Sequence, residues 1–468
     1  MPRISVAGPS SVVTDAAVSV GEEGGSVVDV AIVAALTAMC TEPGMCGPGG
    51  GGFITIDIPG RSPVVIDGYM AYPGIGFDGV SRVRKVTMRY GGGVTTLVDS
   101  GSIAVPGAFA AFDEASRAFG AVPWRILMEA VANAVEDGFP LSAACHRYLN
   151  EGAAPIYASD PVAKHALFTD NGEESRPLGS PIVFLGLAET LRQIGADGAE
   201  VFYRGDLAEA MVSDLAERGA RLTSDDMETY RAIVRPPLRQ SMRDWSLALN
   251  PEPAVGGLAV AAVLDRVGET AEPADLATAL VAAFRARGVE PLRSPSTISV
   301  AAADEEGGVV AASFSAGYGS GIIPRGTGML MNNALGELEL TDGDGEPGTR
   351  MVSNMAPSVA RHGKEAVAVG SPGADRITTA VATTLVRLAV GDSLQQAVDH
   401  PRIHPEFGDF GVRLAVEPGQ DLDDIDLALR RFDEPHMYFG GVNGAGYIDG
   451  RLVAHADSRR TGSVAFTN

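Results

Sequence analysis

The sequence predicts an α+β fold in which two β-sheets are sandwiched between helices. Three observations carry this. An apolar helix, VVDVAIVAALTAM, leads through a glycine cluster into an alternating strand, FITIDI. Residues 296–328, STISVAAADEEGGVVAASFSAGYGSGIIPRGTG, read as a strand that begins with a threonine, a turn, a second strand and a glycine-rich loop. Strand and helix patterns interleave along the chain, with no internal repeat and no low-complexity tail.

Taken in order, Ser26 and Asp29 form a capping-box pattern before the first long helix, whose uniformly apolar surface predicts full burial. Six glycines then fall within nine residues, too many for a regular element. A tight turn with close backbone approach is expected. A phosphate loop is disfavoured, because no Gly-Lys-Ser/Thr follows and the glycines precede a strand. PVVIDGYMAY (63–72) reads as the next strand. SIAVPGAFAAFDEASRAFG reads as a turn and an amphipathic helix, punctuated by Pro106-Gly107, and Trp124 to Gly138 as another.

Residues 185–218 continue helical, and Thr223 is the expected N-cap of the next helix. RPPLRQSMRDWSLALNP returns to strand. Pro251, Pro253, Gly256 and Gly257 make a loop before the helix GLAVAAVLDRV. Residues 268–295, polar and carrying Pro273, Pro291 and Pro295, are expected to be an exposed segment. Beyond residue 328 come alternating strands, a loop at TDGDGEPGTR and a strand–turn–strand around AVAVGSPGADRITTAV. A helix containing Leu394–Val398 and a β-rich end complete the pattern.

The 468 residues suffice for one large domain or two ordinary ones. A formal net charge of −23 argues against nucleic acid or an anionic membrane as partner, since both need a basic face. The start, MPRISVAGPSSVV, has one basic residue and no apolar run of signal-peptide length, and the apolar stretch around Val30–Cys40 is too short to span a bilayer. A cytoplasmic protein is expected. Cys40, Cys46 and Cys145 lack a metal-ligand spacing and are expected as reduced, buried thiols. No metal and no cofactor is expected. The seven histidines, His404 and His455 among them, are read as structural or surface residues, and Asp399-His400-Pro401-Arg402 as a helix end.

Several blocks together resemble the γ-glutamyltranspeptidase family of N-terminal-nucleophile hydrolases. They include GGSVVDVAIVAALTAMCTEPGMCGPGGGGF, FYRGDLAEAMVSDLAERGARLTSDDMETYRA, STISVAAADEEGGVVAASFS, GYGSGIIPRGTGMLMNNALGELEL, GSPGADRITTA and AVDHPRIH, in family order over nearly the whole chain. The resemblance implies a four-layer αββα sandwich. It implies a precursor that cuts itself before a threonine, which then attacks an acyl group as the new N-terminus. Here that places the cleavage between Ser296 and Thr297 and the nucleophile at Thr297. The fragments, 1–296 and 297–468, would stay together as a heterodimer within one domain. Ser296 is an alternative nucleophile. Anchoring on ISV would put Pro295 at the position and leave a dead site.

The chemistry requires this arrangement. A threonine hydroxyl is a poor nucleophile at neutral pH, whereas a terminal α-amine, with a pKa of about 7.7–8.0, can take its proton. Nucleophile and base share one residue only at a chain terminus. By resemblance, Ser315 on the paired strand hydrogen-bonds the Thr297 hydroxyl. Gly373 and Ala374 supply the oxyanion hole, alanine standing where the family has glycine. Glu337 holds a substrate α-amine, and Ser353-Asn354 matches a serine pair that assists carboxylate binding.

The chain departs from the family at Tyr69, which falls where an early-strand arginine binds the α-carboxylate. Tyrosine cannot make that bidentate ion pair. The expected substrate is therefore a small, amino-acid-like molecule other than a plain γ-glutamyl peptide. The segment before the nucleophile is also short, implying a more open pocket or one shaped by a partner subunit, a homo-oligomer of the processed unit. Two other readings stand beside the hydrolase or acyltransferase. One is a C–C bond hydrolase like the homologues of actinobacterial antibiotic pathways that make alkyl-prolines. The other is a non-catalytic binding homologue, allowed by the proline before the cleavage point and the isoleucine after Thr297.

Overall fold

The computed structural model describes the chain except residues 1, 90–92, 268–271, 288–295, 339, 342–344, 409–410 and 423–424. Seven strands form one sheet, in the order Ser463–Phe466, Ile4–Gly8, Ile298–Asp304, Val309–Ser315, Gly51–Asp57, Val64–Gly68 and Ile233–Arg235. Six form a second, in the order Arg451–Ala456, Asn443–Ile448, Glu365–Gly370, Ser358–His362, Trp245–Leu249 and Leu238–Met242. Every pairing within the two sheets is antiparallel.

The core lies in three bands. Helices Ser11–Glu22, Val27–Thr41, Ala108–Phe119 and Trp124–Val135 cover one face of the first sheet. A thin, alanine-rich band (Ala248, Ala301, Ala303, Ala311, Ala366, Ala368) joins the two sheets. Helices Val255–Val267, Pro273–Arg287 and Arg376–Ala389 cover the second sheet's outer face. This helix–sheet–sheet–helix order is the expected one. The Ser26–Asp29 capping box forms, and every residue of Val27–Thr41 is buried, because no face of that helix is polar enough to meet water. Among the described residues no helix is long and apolar enough to cross a membrane.

Two expectations are corrected. Much of the stretch expected to be exposed is the helix Pro273–Arg287, which buries Leu276, Ala277, Leu280 and Phe284. Those residues recur at helical spacing, and Pro273 sits in the first turn, where its missing N–H costs nothing. The flanking residues 268–271 and 288–295, Pro291 and Pro295 with them, lie outside the described residues. The second half of the expected strand–turn–strand is the helix Arg376–Ala389. Its β-branched residues favour strand locally, but burial of Ile377, Val381, Leu385 and Leu388 on one side decides for helix. Within it Thr384 donates to the Ala380 carbonyl at 2.9 Å, so its hydroxyl is satisfied locally.

The glycine cluster is a close approach. Gly51 pairs with Ser315 and Gly52 with Phe314, and a methyl group at Gly52 would come within 2.1 Å of the Ser313 carbonyl oxygen. The hairpin Ile298–Asp304/Val309–Ser315 runs in register from Ile298–Phe314 to Ala303–Val309. Val300, Ala302, Ala312 and Phe314 face the helices, while Ala301, Ala303, Val309 and Ala311 face the other sheet. By the same alternation Thr297, Ser299, Ser313 and Ser315 belong to the inter-sheet side, at its open end.

Candidate active site

Thr297 is buried at the head of the hairpin, one step beyond the Ile298–Phe314 pair. The hydroxyl of Ser315 donates to the carbonyl oxygen of Ser296 at 2.7 Å and accepts from the Gly317 N–H at 3.0 Å. Its proton thus goes to the peptide carbonyl immediately before Thr297, rather than to the Thr297 hydroxyl as expected. Hydrogen bonds fix the strand behind it. The Asn443 side-chain amide, from the second sheet, donates to the Ser299 carbonyl at 2.7 Å, and Ser313 donates to the Ser299 hydroxyl at 3.2 Å.

Thr297, Ile298 and Ser299 line a narrow cleft of about 30 Å³. Pro372 lies on the same cleft, directly before Gly373 and Ala374. Both of those residues are buried, and neither backbone N–H has a hydrogen-bond partner among the described residues. Buried, unpaired N–H groups are rare and costly, so two in succession are candidate hydrogen-bond donors to a ligand. Gly373 has φ +129° and Ala374 φ +55°. Alanine therefore keeps the donor, but in a left-handed conformation that costs roughly 1–2 kcal/mol.

The expected recognition residues are all buried: Tyr69, Glu337, Ser353 and Asn354. Tyr69 stacks on Phe53 with ring centroids 5.5 Å apart, and its phenol lies near Ser353 and Glu337. Burial, and then the nearby Glu337 carboxylate, push that phenol far above its ordinary range, so it stays neutral. Glu337 lies beside Gly317: a β-carbon there would be 3.2 Å from the Glu337 carboxylate. One short loop thus joins the Ser315 contact to the Glu337 side chain.

Three features were not singled out from sequence. Arg350 reaches the Tyr69 strand from far along the chain, but it is engaged structurally. It donates to Asp67 at 3.3 Å and stacks over Tyr230 at 4.3 Å, while Arg235 also donates to Asp67, at 2.8 Å. Glu42 lines the Thr297 cleft, accepting from Ser142 at 2.6 Å and from the Cys145 thiol at 3.0 Å. Asp457 and Arg460 line it from the far end of the chain. Long-range pairing of this kind leaves no local pattern; only the position of Glu42 at the C-terminal end of a buried helix marks it in the sequence.

His404 is buried away from this site, hydrogen-bonded to Thr379 at 2.9 Å. His455 pairs with Asp399 at 2.9 Å. The three cysteines are free and buried. Among the described residues no group of three or more His, Cys, Asp or Glu side chains is placed to hold a metal ion.

The chain matches the gamma-glutamyltranspeptidase family model over residues 13–285 and 275–467. It is 28% identical to the acylase ACY 1 proenzyme of Pseudomonas sp. (strain V22), covering 94% of this chain and 89% of that protein. It is 24% identical to the glutathione hydrolase proenzyme of Escherichia coli (strain K12), covering 90% and 84%. In structure it resembles a cephalosporin acylase from Bacillus halodurans, with a TM-score of 0.79 at 20% identity over 99% of this chain and 96% of that one.

Proposed function

Because the chain belongs to the γ-glutamyltranspeptidase family, whose curated relatives here are enzymes, we propose that it is a self-processing N-terminal-nucleophile hydrolase or acyltransferase acting through Thr297. The observation that carries this is the 2.7 Å hydrogen bond from Ser315 to the carbonyl oxygen of Ser296. It polarises the one peptide bond whose cleavage would free the amine of Thr297.

In the precursor, Thr297 Oγ attacks the Ser296 carbonyl carbon, and the charge on its oxygen is met by Ser315. The C–N bond breaks, nitrogen takes up the hydroxyl's proton, and the ester that results is hydrolysed by water. The products are a Ser296 carboxylate and a free Thr297 α-amine. The fragments 1–296 and 297–468 stay together because strand Ile298–Asp304 remains paired with Ile4–Gly8 of the other fragment. In the mature enzyme the amine takes the Thr297 hydroxyl proton as Oγ attacks a substrate carbonyl, and it returns that proton to the leaving amine. The N–H groups of Gly373 and Ala374 receive the oxyanion. Water, or a second amine, then takes the acyl group.

The substrate reading follows from the neighbouring Tyr69 and Glu337 side chains. Glu337 supplies a carboxylate for an ammonium group, whereas Tyr69, neutral, supplies no cation for an α-carboxylate. The favoured acyl group is amino-bearing and lacks that carboxylate; 4-aminobutyryl is γ-glutamyl without it. Intact-mass measurement of the purified protein should show two fragments, the second beginning at Thr297. The processed protein should release 4-nitroaniline faster from 4-aminobutyryl-4-nitroanilide than from the γ-glutamyl compound. A chain that stays whole sinks the nucleophile, and a preference for γ-glutamyl sinks the substrate class.

A further inference from the structure

The two sheets are tied together where the Thr55 hydroxyl donates to the Pro357 carbonyl at 2.8 Å. Beyond that tie a cavity of about 320 Å³ opens between Asp57 of the first sheet and Ser246, Ala248, Val359 and Arg361 of the second. It lies at the end of the sandwich away from Thr297. Strand Gly51–Asp57 pairs Gly51 with Ser315 and reaches the cavity at Asp57, so its seven residues separate the two places by roughly 20 Å.

Register decides which side chains enter the cavity, because opposed residues on antiparallel strands share a face. Arg239, Ala248 and Val359 make one row across the second sheet, and Ser246 and Arg361 the next. Ala248 and Val359 belong to the apolar band between the sheets, so both rows face inward. Three arginines line the cavity, and two of them are occupied. Arg361 donates to Asp57 at 2.6 Å and to the Gly307 carbonyl at 2.8 Å, which also answers the one carboxylate in the lining. Arg61 donates to the Ala118 carbonyl at 3.0 Å and lies over the Phe119 ring. Arg239 is exposed, and it makes no hydrogen bond or ion pair among the described residues.

We propose that this cavity is a binding site for a small organic carboxylate with an apolar body, separate from the reacting residues. The planar guanidinium of Arg239 takes the carboxylate through two parallel hydrogen bonds. The Ser246 hydroxyl, on the neighbouring row, is a further donor. The apolar body covers Ala248 and Val359, with Pro59 and Pro63 on the same lining. A chain of net charge −23 repels anions at most of its surface, so an unanswered guanidinium beside an apolar floor is where one is drawn in. An inorganic oxyanion satisfies Arg239 but leaves that floor uncovered, which favours a ligand with a body.

The test uses the purified full chain and four probes in ligand-observed NMR titrations. Phenylacetate has both charge and body, phenylacetamide the body alone, and acetate and inorganic phosphate the charge alone. Wild-type protein should bind phenylacetate about tenfold or more tightly than each of the others, the span expected of one charge-assisted contact. Arg239→Gln should abolish the preference for phenylacetate over its amide, and Arg239→Lys, which keeps the charge without the planar fork, should retain part of it. Arg239 is exposed, so these variants leave the core untouched. No binding of phenylacetate, equal binding of phenylacetate and phenylacetamide, or a preference that survives Arg239→Gln overturns the site. Binding of acetate or phosphate as tight as that of phenylacetate overturns the apolar body.

Discussion

The hydroxyl of Ser315 donates to the carbonyl oxygen of Ser296 at 2.7 Å, so the peptide group preceding Thr297 is polarised from across the hairpin. Ser315 is itself fixed by the Gly317 N–H. In Ser315→Ala the donor is lost while the strand pairing remains. Removing one donor to a developing oxyanion typically costs about 10²–10³ in rate. Self-cleavage of this variant, followed on a denaturing gel from the time of purification, should slow by about that factor. Cleavage at the wild-type rate would leave the hydrogen bond without a role in processing.

The nucleophile has a sharper signature. Thr297→Ala should remain a single 48.3 kDa chain however long it is incubated. Thr297→Ser, which keeps a hydroxyl, should still split, and its second fragment should begin at residue 297. Splitting of the alanine variant at the same bond would transfer the role to another residue, and splitting one bond earlier, between Pro295 and Ser296, would transfer it to Ser296.

Much of the fold around this candidate site is legible in the chain, and the limits are physical. The hairpin, the buried capped helix and the glycine turn follow from periodicity and from the steric needs of Gly50–Gly52, which act locally. Thr297, Ser315, Gly373 and Ala374 are nominated as site residues by the order of blocks, not by any one residue's surroundings. Tyr69 reads as a substitution, but its nearness to Ser353 and Glu337 joins residues far apart in sequence and leaves no pattern. Arg376–Ala389 misled because its threonines and valines favour strand until tertiary burial overrides them. Arg460 and Glu42 became site candidates only when the fold closed the cleft around Thr297.

Glu337 is the acyl-side test. A charged hydrogen bond contributes about 1.5–3 kcal/mol, or roughly 10–150-fold in affinity. Glu337→Gln keeps the shape and removes the charge. Its kcat/KM for 4-aminobutyryl-4-nitroanilide should fall by that range, while kcat/KM for butyryl-4-nitroanilide, which lacks the amine, should change little. An equal loss on both would make Glu337 structural.

Ala374, in the proposed oxyanion hole, stores strain with φ +55°. Glycine there relieves roughly 1–2 kcal/mol but loses roughly 0.5–1 kcal/mol through unfolded-chain entropy. Ala374→Gly should therefore raise stability by about 0.5–1 kcal/mol, read as a higher Tm, with self-cleavage intact because the N–H is kept. A lower Tm would mean that the alanine methyl makes packing contacts worth more than the strain.

Acid should destabilise the fold through His404. Burial, reinforced by Arg376, holds its pKa well below the ordinary value near 6.5, and His400 is lowered to about 4, again by burial first and Arg387 next. In each case the folded state favours the neutral ring, so the unfolded chain binds more protons as pH falls below about 6.5. The stability from these rings is thus fully present above pH ~6.5 and is lost progressively as pH falls toward their folded values. For the fully buried His404 the slope approaches about 1.4 kcal/mol per pH unit. Urea unfolding should be compared at pH 7.5 and 5.0 in the uncut Thr297→Ala chain, so that separation of fragments does not intrude. The added substitution His404→Gln should flatten the pH dependence whatever it does to the absolute stability. An unchanged slope would mean that His404 accepts a proton as readily in the folded chain as in the unfolded one.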